Sequence, residues 1–265
     1  MELKQVSASA LKSLAKSPEH CYANHIASER SHNETDAMLL GTLVHAFVLE
    51  PKTIKDLYVR MPDGMIRRGA KWEEWKKSNA FLKRAIKGSV YDKARMLKDK
   101  VFNSEMAMSF LMGRKRSIDI EERVSFNQKF GDRWIRMTGF LDLVNHETRR
   151  IVDIKTVSNA DDLSKCAKDG RWDLQAVQYL NAMDHIRGNQ YRMFFLVVET
   201  NSPHRIRIVE LSPSAIHVAR QDHTRLTLDY VRRMEEDNWT GEQVQTNVDM
   251  PNWFTRELED LNEQY

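Results

Sequence analysis

The sequence contains only two cysteines among its 265 residues, Cys21 and Cys166. They lack metal-ligand spacing, and two thiols are too few for a four-cysteine zinc or iron–sulfur site. Such a cysteine content is typical of a reducing compartment. No apolar run approaches the roughly 20 residues of a membrane-spanning helix, and no signal peptide opens the chain. We therefore expect a soluble, cytoplasmic protein with no membrane partner.

The chain also lacks an excess of charge of either sign. Its 41 basic and 38 acidic side chains leave a net charge of +3. This balance neither requires nor excludes nucleic acid, so any basic surface must arise from local arrangement. No internal repeat or low-complexity tract interrupts the sequence, whose length fits one large domain or two small ones.

The stretch from Gly139 to Thr156, G-F-L-D-L-V-N-H-E-T-R-R-I-V-D-I-K-T, has two short apolar runs around a polar turn. This pattern predicts a β-hairpin, with Asp142 on its first strand and Asp153 and Lys155 on its second. Strand alternation places Asp153 and Lys155 on the same side. Charged groups within apolar β-structure carry a large desolvation cost unless something pairs with them. A divalent cation would do so, with the lysine close to whatever the cation binds.

This combination of side chains is the one needed for metal-dependent phosphodiester hydrolysis. Asp142 and Asp153 would hold Mg²⁺ through oxygen ligands. Lys155 would orient the attacking water or stabilise the transition state, while the metal neutralises charge on the phosphate. The alternative is an ordinary sheet in which Lys155 pairs with Asp153 without any metal.

A strongly apolar helix is predicted from about residue 37 to residue 49. Gly41 allows the close approach of a neighbouring element, and His45 lies in the middle of the helix. A buried histidine is more often a hydrogen-bonded core residue than a ligand. The cation site predicted elsewhere in the chain favours a ligand role here, because neutral imidazole is a common metal ligand.

Near the amino terminus, residues 6–19 predict a short helix capped by Ser7, followed by a second helix that begins at Ser17 and Pro18. Serines at a helix start could hold a phosphate, although plain capping is the commoner role.

Residues 58–115 are richly charged and are predicted to be helical in pieces. A basic stretch within them includes Arg67 and Lys71, with Trp72 and Trp75 interleaved. It is either a DNA-facing surface that neutralises phosphates or a solvated helix face with two tryptophans docked on the core.

Further strands are predicted at 117–126, 133–144, 191–199 and 204–211, and further helices at 161–168, 172–187 and 212–234. The carboxylates of Glu121 and Glu122 could reach the acidic site, but alternation favours solvent. The helix at 172–187 carries Gln175, Gln178 and Tyr179 beside its apolar face. The pattern predicts an α+β, α/β/α-like fold: a central mixed β-sheet flanked by helices.

Several motifs occur together and in order. They are L-x-G-T-x-x-H-x-x-x-L-E-P ending at Pro51, D-I-K-T at Asp153 to Thr156, Q-x-x-Q-Y at Gln175, Gln178 and Tyr179, S-x-S-x-L at Ser7, Ser9 and Leu11, R-R-x-x-K at Arg67, Arg68 and Lys71, the glutamate Glu121, and P-x-W at Pro251 and Trp253. The set resembles the PD-(D/E)xK nucleases of the RecB and lambda-exonuclease type, and within them the RecE-type (exonuclease VIII) nuclease domain. The residues before Asp142 read T-G-F-L, so the proline of the "PD" pair is absent.

The resemblance implies a single nuclease domain over 1–265 with a PD-(D/E)xK restriction-endonuclease-like core, a helical insert at about 58–115 and an irregular tail at about 236–265. It implies a Mg²⁺-dependent 5′-to-3′ exodeoxyribonuclease, with Mn²⁺ able to substitute, that degrades linear double-stranded DNA and leaves 3′ single strands for annealing-type recombination. The implied metal ligands are His45, Asp142, Asp153 and the carbonyl of Ile154, and the catalytic residues are Lys155, Asp153, Asp142 and Glu121. The implied DNA contacts come from Gln175, Gln178, Tyr179, Ser7, Ser9, Arg67, Arg68 and Lys71.

The same resemblance implies a homo-oligomeric ring, a trimer or tetramer, that encloses the DNA end and works with a RecT-type single-strand annealing protein in a bacterial or phage-infected cell. Two alternative functions differ from this one. An iron–sulfur nuclease needs four cysteines, which the chain does not have. A non-catalytic DNA-binding or assembly module would carry a vestigial site, and the intact Asp142, Asp153 and Lys155 argue against it.

Overall fold

The structure, a computed structural model, describes residues 5–27, 34–79, 83–188 and 190–241. Its strands are β1 (Gln5–Ser7), β2 (Tyr58–Arg60), β3 (Arg84–Ile86), β4 (Ile118–Phe130), β5 (Arg133–Asn145), β6 (Arg150–Val157), β7 (Arg192–Glu199) and β8 (Ile206–Val209). Its α-helices are α1 (Ala8–Leu14), α2 (Pro18–Cys21), α3 (Asp36–Leu49), α4 (Ile54–Leu57), α5 (Ala70–Asn79), α6 (Gly88–Phe102), α7 (Glu105–Leu111), α8 (Leu163–Asp169), α9 (Trp172–Arg187) and α10 (Pro213–Glu236).

Six strands form one mixed sheet in the order β1-β5-β6-β7-β8, with β4 paired to β5. The pairs β4–β5, β5–β6 and β7–β8 are antiparallel, whereas β1–β5 and β6–β7 are parallel. Strands β2 and β3 form a separate parallel pair. Because β4 accompanies β5 along its whole length, β1 and β6 must share the opposite edge of β5.

The predicted hairpin is formed by β5 and β6. The side chain of Asn145 accepts hydrogen bonds from the backbone amides of Glu147 and Thr148, each at 3.1 Å. This local bonding of an asparagine side chain to the backbone two and three residues on stabilises a tight turn. The apolar residues of β6 alternate between the two faces of the sheet, as expected from the period of a strand: Ile151 and Val152 enter different cores.

The two cores lie on opposite faces of the sheet. The first core joins the sheet to α1, α9 and α10, through residues such as Leu11, Leu174 and Leu226. The second joins it to α3 and α6, through residues such as Leu43 and Leu97. The predicted α+β fold with helices on both faces of a mixed sheet is therefore confirmed.

Some local predictions were wrong. Residues 5–7 form a short strand that the pattern does not predict, because they pair with Arg136–Thr138 of β5; the predicted helix follows them directly, with Ser7 as its predicted cap. Strand β4 continues to Phe130, four residues beyond the prediction. Trp72 and Trp75 stack on each other, with ring centroids 5.7 Å apart, on a helix that buries no residue. They are not docked on the core.

In the tail, Trp239 packs against Tyr22 and Tyr230. The P-x-W motif at Pro251 and Trp253 lies outside the described residues. Within the part of the chain that the structure describes, no helix combines the length and the apolar character needed to cross a bilayer.

Candidate metal centre

The site forms where β5 and β6 separate. Strand β1 pairs with β5 as far as Thr138, and β6 pairs with it only from Leu143 onward. Asp142 lies in the interval, without a strand partner on this edge. Its Oδ2 atom accepts a hydrogen bond at 2.8 Å from the backbone amide of Ile154 on β6. The carboxylate therefore bridges the gap between the two strands.

Helix α3 brings His45 to this gap. Its Nε2 atom lies 3.0 Å from Oδ2 of Asp142 and 3.2 Å from Oε1 of Glu121. The helix can approach β6 because residue 41 is glycine: a Cβ atom there would lie 2.9 Å from Oγ1 of Thr156. The sequence-based expectation that Gly41 permits a close neighbour is thus confirmed.

Glu121 reaches the site through an unusual backbone conformation. It lies between the cross-strand pairs Ile120–Leu143 and Glu122–Leu141, opposite Asp142, and its φ is 54°. A residue with a side chain rarely adopts this left-handed conformation, and such strain is concentrated at functional sites. The expectation from strand alternation that this carboxylate faces solvent was wrong, because the local distortion directs it to His45.

Asp153 and Lys155 form the second half of the site. The Nζ atom of Lys155 lies 2.5 Å from Oδ2 of Asp153 and donates a 3.0 Å hydrogen bond to Oε1 of Gln175. The amide nitrogen of Gln175 donates to Oδ1 of Asp153 and, at 3.1 Å, to the hydroxyl of Tyr179. Helix α9 therefore holds both members of the pair through one amide.

Lys12 on α1 is part of this network, and sequence reasoning missed it. Its Nζ atom donates a 2.6 Å hydrogen bond to Oε1 of Gln175, the same oxygen that Lys155 contacts. Burial, together with the charge of Lys155, lowers the pKa of Lys12 to about 8. No sequence motif links these positions, which are 163 residues apart. Only the packing of α1 on α9 brings them together.

Crowded negative charge shifts several pKa values in the site. Burial opposes protonation of His45, but its hydrogen bond to Asp142 and the charge of Glu121 outweigh burial and raise its pKa. Burial raises the pKa of Glu121, and Asp142 adds to the shift. Burial also raises the pKa of Asp153, while Lys155 opposes this. A divalent cation would offset the negative charge of the carboxylates gathered here.

The donor set fits a divalent cation. One ligand atom each from His45, Glu121 and Asp142 lie within 4.8 Å of one another. A cavity of about 430 Å³ is lined by His45 and Asp142 of this group, together with Asp153 and Lys155. Carboxylate oxygens suit Mg²⁺, and an added imidazole suits Mn²⁺. Asp153, which contacts Lys155 and Gln175, lies outside this group of three.

The DNA contacts implied by the resemblance divide into three groups. Gln175 and Tyr179 are buried in the network below the cavity, although Gln175 also lines it. The placement of Gln178 does not fit a DNA contact: it is fully buried, and its amide nitrogen donates to the carbonyl oxygens of Val6 and Thr138. Gln178 instead fastens α9 to β1 and β5.

The remaining predicted contacts are not among the residues that line the cavity. Ser7 caps α1 by accepting a 3.2 Å hydrogen bond from the amide of Ala10, and its hydroxyl lies 2.9 Å from that of Ser9. Arg67, whose guanidinium donates to the carbonyl of Ala85, is exposed, as are Arg68 and Lys71. Contacts of these residues with DNA stay predictions.

A second mixed group, formed by Asp119, Glu122 and His146, also holds its ligand atoms within 4.8 Å of one another. Nε2 of His146 lies 2.7 Å from Asp119, and its Nδ1 atom lies 2.7 Å from the hydroxyl of Tyr191. His146 is thus already occupied on both ring nitrogens.

A family model described as "PDDEXK-like domain of unknown function" (DUF3799) matches residues 7–246. No curated protein matches the chain in sequence. Among solved structures, a protein from Eubacterium rectale described as a candidate exonuclease has a TM-score of 0.63 at 13% identity, over 93% of this chain and 91% of that chain. A phage-related exonuclease from Haemophilus somnus 129PT has a TM-score of 0.36 at 14% identity, over 89% of this chain and 98% of that chain. The first likeness shows a shared fold.

Proposed function

Because this chain belongs to the family of PDDEXK-like domains (DUF3799), we propose that it is a divalent-metal-dependent nuclease. The observation that carries the proposal is the meeting of His45, Glu121 and Asp142 beside the ion pair of Lys155 with the buried Asp153. A site that merely stabilised the sheet would not need three potential ligands close together at a cavity. Members of the wider PD-(D/E)xK fold use such carboxylate and lysine sets on phosphodiesters.

His45, Glu121 and Asp142 would hold the cation, and Asp153 lies close enough to the cavity to join them. When bound, a divalent cation lowers the pKa of a water molecule and neutralises charge on the phosphate. The carbonyl of Ile154 belongs to the proposed ligand set by resemblance alone.

Lys155 has the position to act on the substrate side of the cavity. Its ammonium lies against Asp153 and Gln175, so its direction is fixed. It would orient the attacking water or stabilise the negative charge that develops on the phosphate. Gln175 would act as a positioning residue, since it restrains Lys155 and Asp153 together.

We further propose the finer activity that the resemblance implies: Mg²⁺-dependent 5′-to-3′ degradation of linear duplex DNA, in a ring-shaped trimer or tetramer that supplies 3′ single strands to a RecT-type annealing protein. The proposed single domain over residues 1–265 would then be the repeating unit of the ring.

The decisive experiment uses linear duplex DNA with a 5′-phosphate and a label on either the 5′ or the 3′ terminal nucleotide. We expect the 5′ label to be released first with Mg²⁺, covalently closed circular DNA to resist, and Lys155→Ala to be folded but slower by about 10²- to 10⁴-fold. The exposed Lys168→Ala serves as the matched control. Full activity of Lys155→Ala or in excess EDTA would contradict the proposed chemistry, whereas first release of the 3′ label would contradict only the direction.

A further inference from the structure

Within the part of the chain that the structure describes, the long hairpin of β4 and β5 has one face that neither core covers. On β4, Val124, Phe126 and Phe130 are buried in the first core, and on β5 Ile135, Met137 and Leu141 are buried with them. The alternate residues point the other way. They pair across the two strands as Arg123 with Phe140, Ser125 with Thr138, Asn127 with Arg136, and Lys129 with Trp134. We call this set the outer hairpin face.

Two large aromatic side chains on this face are exposed. Trp134 and Phe140 each retain 57% of their accessible surface. Single exposed apolar residues are common on protein surfaces and need no explanation. Two exposed aromatic side chains on the same face of one strand are more typical of a binding surface. They are six positions apart along β5, a distance of about 20 Å. Their spacing gives two separate stacking platforms on one continuous surface.

The charges on the face have a single sign. It carries Arg123, Lys129 and Arg136 and no carboxylate, and the guanidinium of Arg123 lies 5.9 Å from the ring centre of Phe140. Within the described residues, none of these three cations forms an ion pair with a carboxylate. Cations interleaved with exposed aromatics are the combination that binds a single strand of nucleic acid, through phosphate contacts and base stacking.

The face is continuous with the candidate metal centre. Phe140 lies two residues before Asp142 on β5, and Arg123 lies two residues after Glu121 on β4. Two residues of strand span about 7 Å. A strand of nucleic acid on the face would therefore arrive at the cluster formed by His45, Glu121 and Asp142 without crossing another element of the sheet.

We propose that the outer hairpin face is a track for one single strand of nucleic acid that leads into or out of the metal centre. Trp134 and Phe140 stack against bases, and Arg123, Lys129 and Arg136 contact phosphates. This inference rests on the proposed nuclease function and deepens it, because it names the strand state of the substrate next to the site. Since stacking and phosphate contacts are tolerant of sequence, the track shows little base preference.

The test measures binding of a fluorescein-labelled oligothymidylate of 30 nucleotides by anisotropy, in EDTA so that the strand stays intact. Trp134→Ala combined with Phe140→Ala weakens binding by at least about tenfold, because each stacked base contributes enough for such a change. Arg123→Gln combined with Arg136→Gln lowers the slope of log affinity against log salt by about 1.4, from about 0.7 for each lost phosphate contact. The matched controls are Val218→Ala and Arg207→Gln, which change exposed residues on α10 and β8.

Hydrolysis of bis(p-nitrophenyl) phosphate with Mn²⁺ is measured in parallel, since this small diester needs the metal centre but no track. Unchanged hydrolysis with weakened strand binding is the expected result for the face variants. Unchanged strand binding overturns the track. A second outcome also overturns the track: the aromatic double variant sediments as a smaller species than the wild type but still binds the strand. The face would then join copies of the chain instead of binding nucleic acid. Should the wild type bind the strand through this face yet hydrolyse no diester, the track stands and the proposed nuclease function falls.

Discussion

The Nε2 atom of His45 lies 3.0 Å from the Oδ2 atom of Asp142, although the histidine comes from the middle of a helix and the aspartate from a distant strand. The same carboxylate oxygen accepts the amide of Ile154. A single oxygen thus links α3, β5 and β6 at the point where the two strands separate. The fold itself assembles the ligand set, because none of these residues is close to the others in the sequence apart from the hairpin pair.

Metal binding is expected to depend on this contact. His45→Ala removes an imidazole ligand and leaves Glu121 and Asp142 with their mutual repulsion. Loss of a residue that only supports a metal ligand typically lowers metal affinity by about 10- to 100-fold. Loss of a ligand itself should therefore lower the affinity for Mn²⁺ by more than about tenfold. Isothermal titration with Mn²⁺ measures the change. His217→Ala, which replaces an exposed histidine on α10, should bind Mn²⁺ as the wild type does. Equal affinities for the two variants would remove His45 from the metal centre.

Lys12 is expected to matter through Gln175. Lysine ammonium groups only donate hydrogen bonds, so Lys12 and Lys155 together hold the Gln175 oxygen toward themselves and its nitrogen toward Asp153. Lys12→Met removes one of the two donors and permits the amide to rotate. We expect kcat on linear duplex DNA to fall by about tenfold, with a smaller change in KM, because the positioning of reacting groups is affected more than substrate binding.

Two further variants separate positioning by Lys12 from a general effect on stability. Lys12→Arg retains a donor toward Gln175 and should recover part of the lost kcat. Lys16→Met replaces an exposed lysine four residues further along, just beyond the end of α1, and should leave kcat unchanged. A Lys12→Met enzyme with wild-type kcat, or one that fails only because it is unfolded by circular dichroism, would refute the positioning role.

The sequence predicts much of this site because its main parts are local. The hairpin that carries Asp142, Asp153 and Lys155 follows from two apolar runs around a polar turn, and the helix of His45 follows from its apolar residues. Each pattern is confined to fewer than about 20 residues, where periodicity is informative. The structure confirms both elements.

The parts of the fold and the site that the sequence does not predict are those that depend on contacts between distant segments. Strand β1 has three residues, and only its partner β5 makes it a strand. Lys12 reaches the site because α1 packs on α9. Glu121 joins the ligands through a left-handed backbone that alternation does not anticipate. Local pattern carries no information about such contacts, which tertiary packing decides.

The fit of Gly41 against Thr156 gives a test of helix placement. A Cβ atom at residue 41 would lie 2.9 Å from Oγ1 of Thr156, so Gly41→Ala should displace α3 from β6 and move His45. Overpacking of this kind typically destabilises by about 1–3 kcal/mol, and we expect the affinity for Mn²⁺ to fall as well. The double variant Gly41→Ala with Thr156→Ala removes the opposing oxygen and should recover stability and affinity. If the double variant is no better than Gly41→Ala alone, the two residues do not set the helix position.

The buried His223 predicts how stability depends on pH. It is 1% exposed, and its Nε2 atom lies 2.9 Å from Oε1 of Gln178. The amide nitrogen of Gln178 is occupied by two backbone carbonyls, so its oxygen must face the histidine, which then donates from a neutral ring. Burial, together with the charge of Arg220, lowers the pKa of His223 to about 4.

The sign of the effect follows from the lowered pKa. The unfolded chain takes up a proton at His223 near pH 6.5, whereas the folded protein takes it up only near pH 4, so stability is lost as the pH falls through this window. Between pH 7 and pH 5 this residue should lower the free energy of unfolding by about 2 kcal/mol. His223→Gln can still donate to Gln178 but does not titrate, so its urea-unfolding free energy should vary less over this range. His217→Gln, an exposed histidine on the same helix, should keep the wild-type slope. Because the comparison uses slopes, it holds even if His223→Gln is less stable at every pH. A slope in His223→Gln equal to that of the wild type would show that His223 is protonated alike in the folded and unfolded chains.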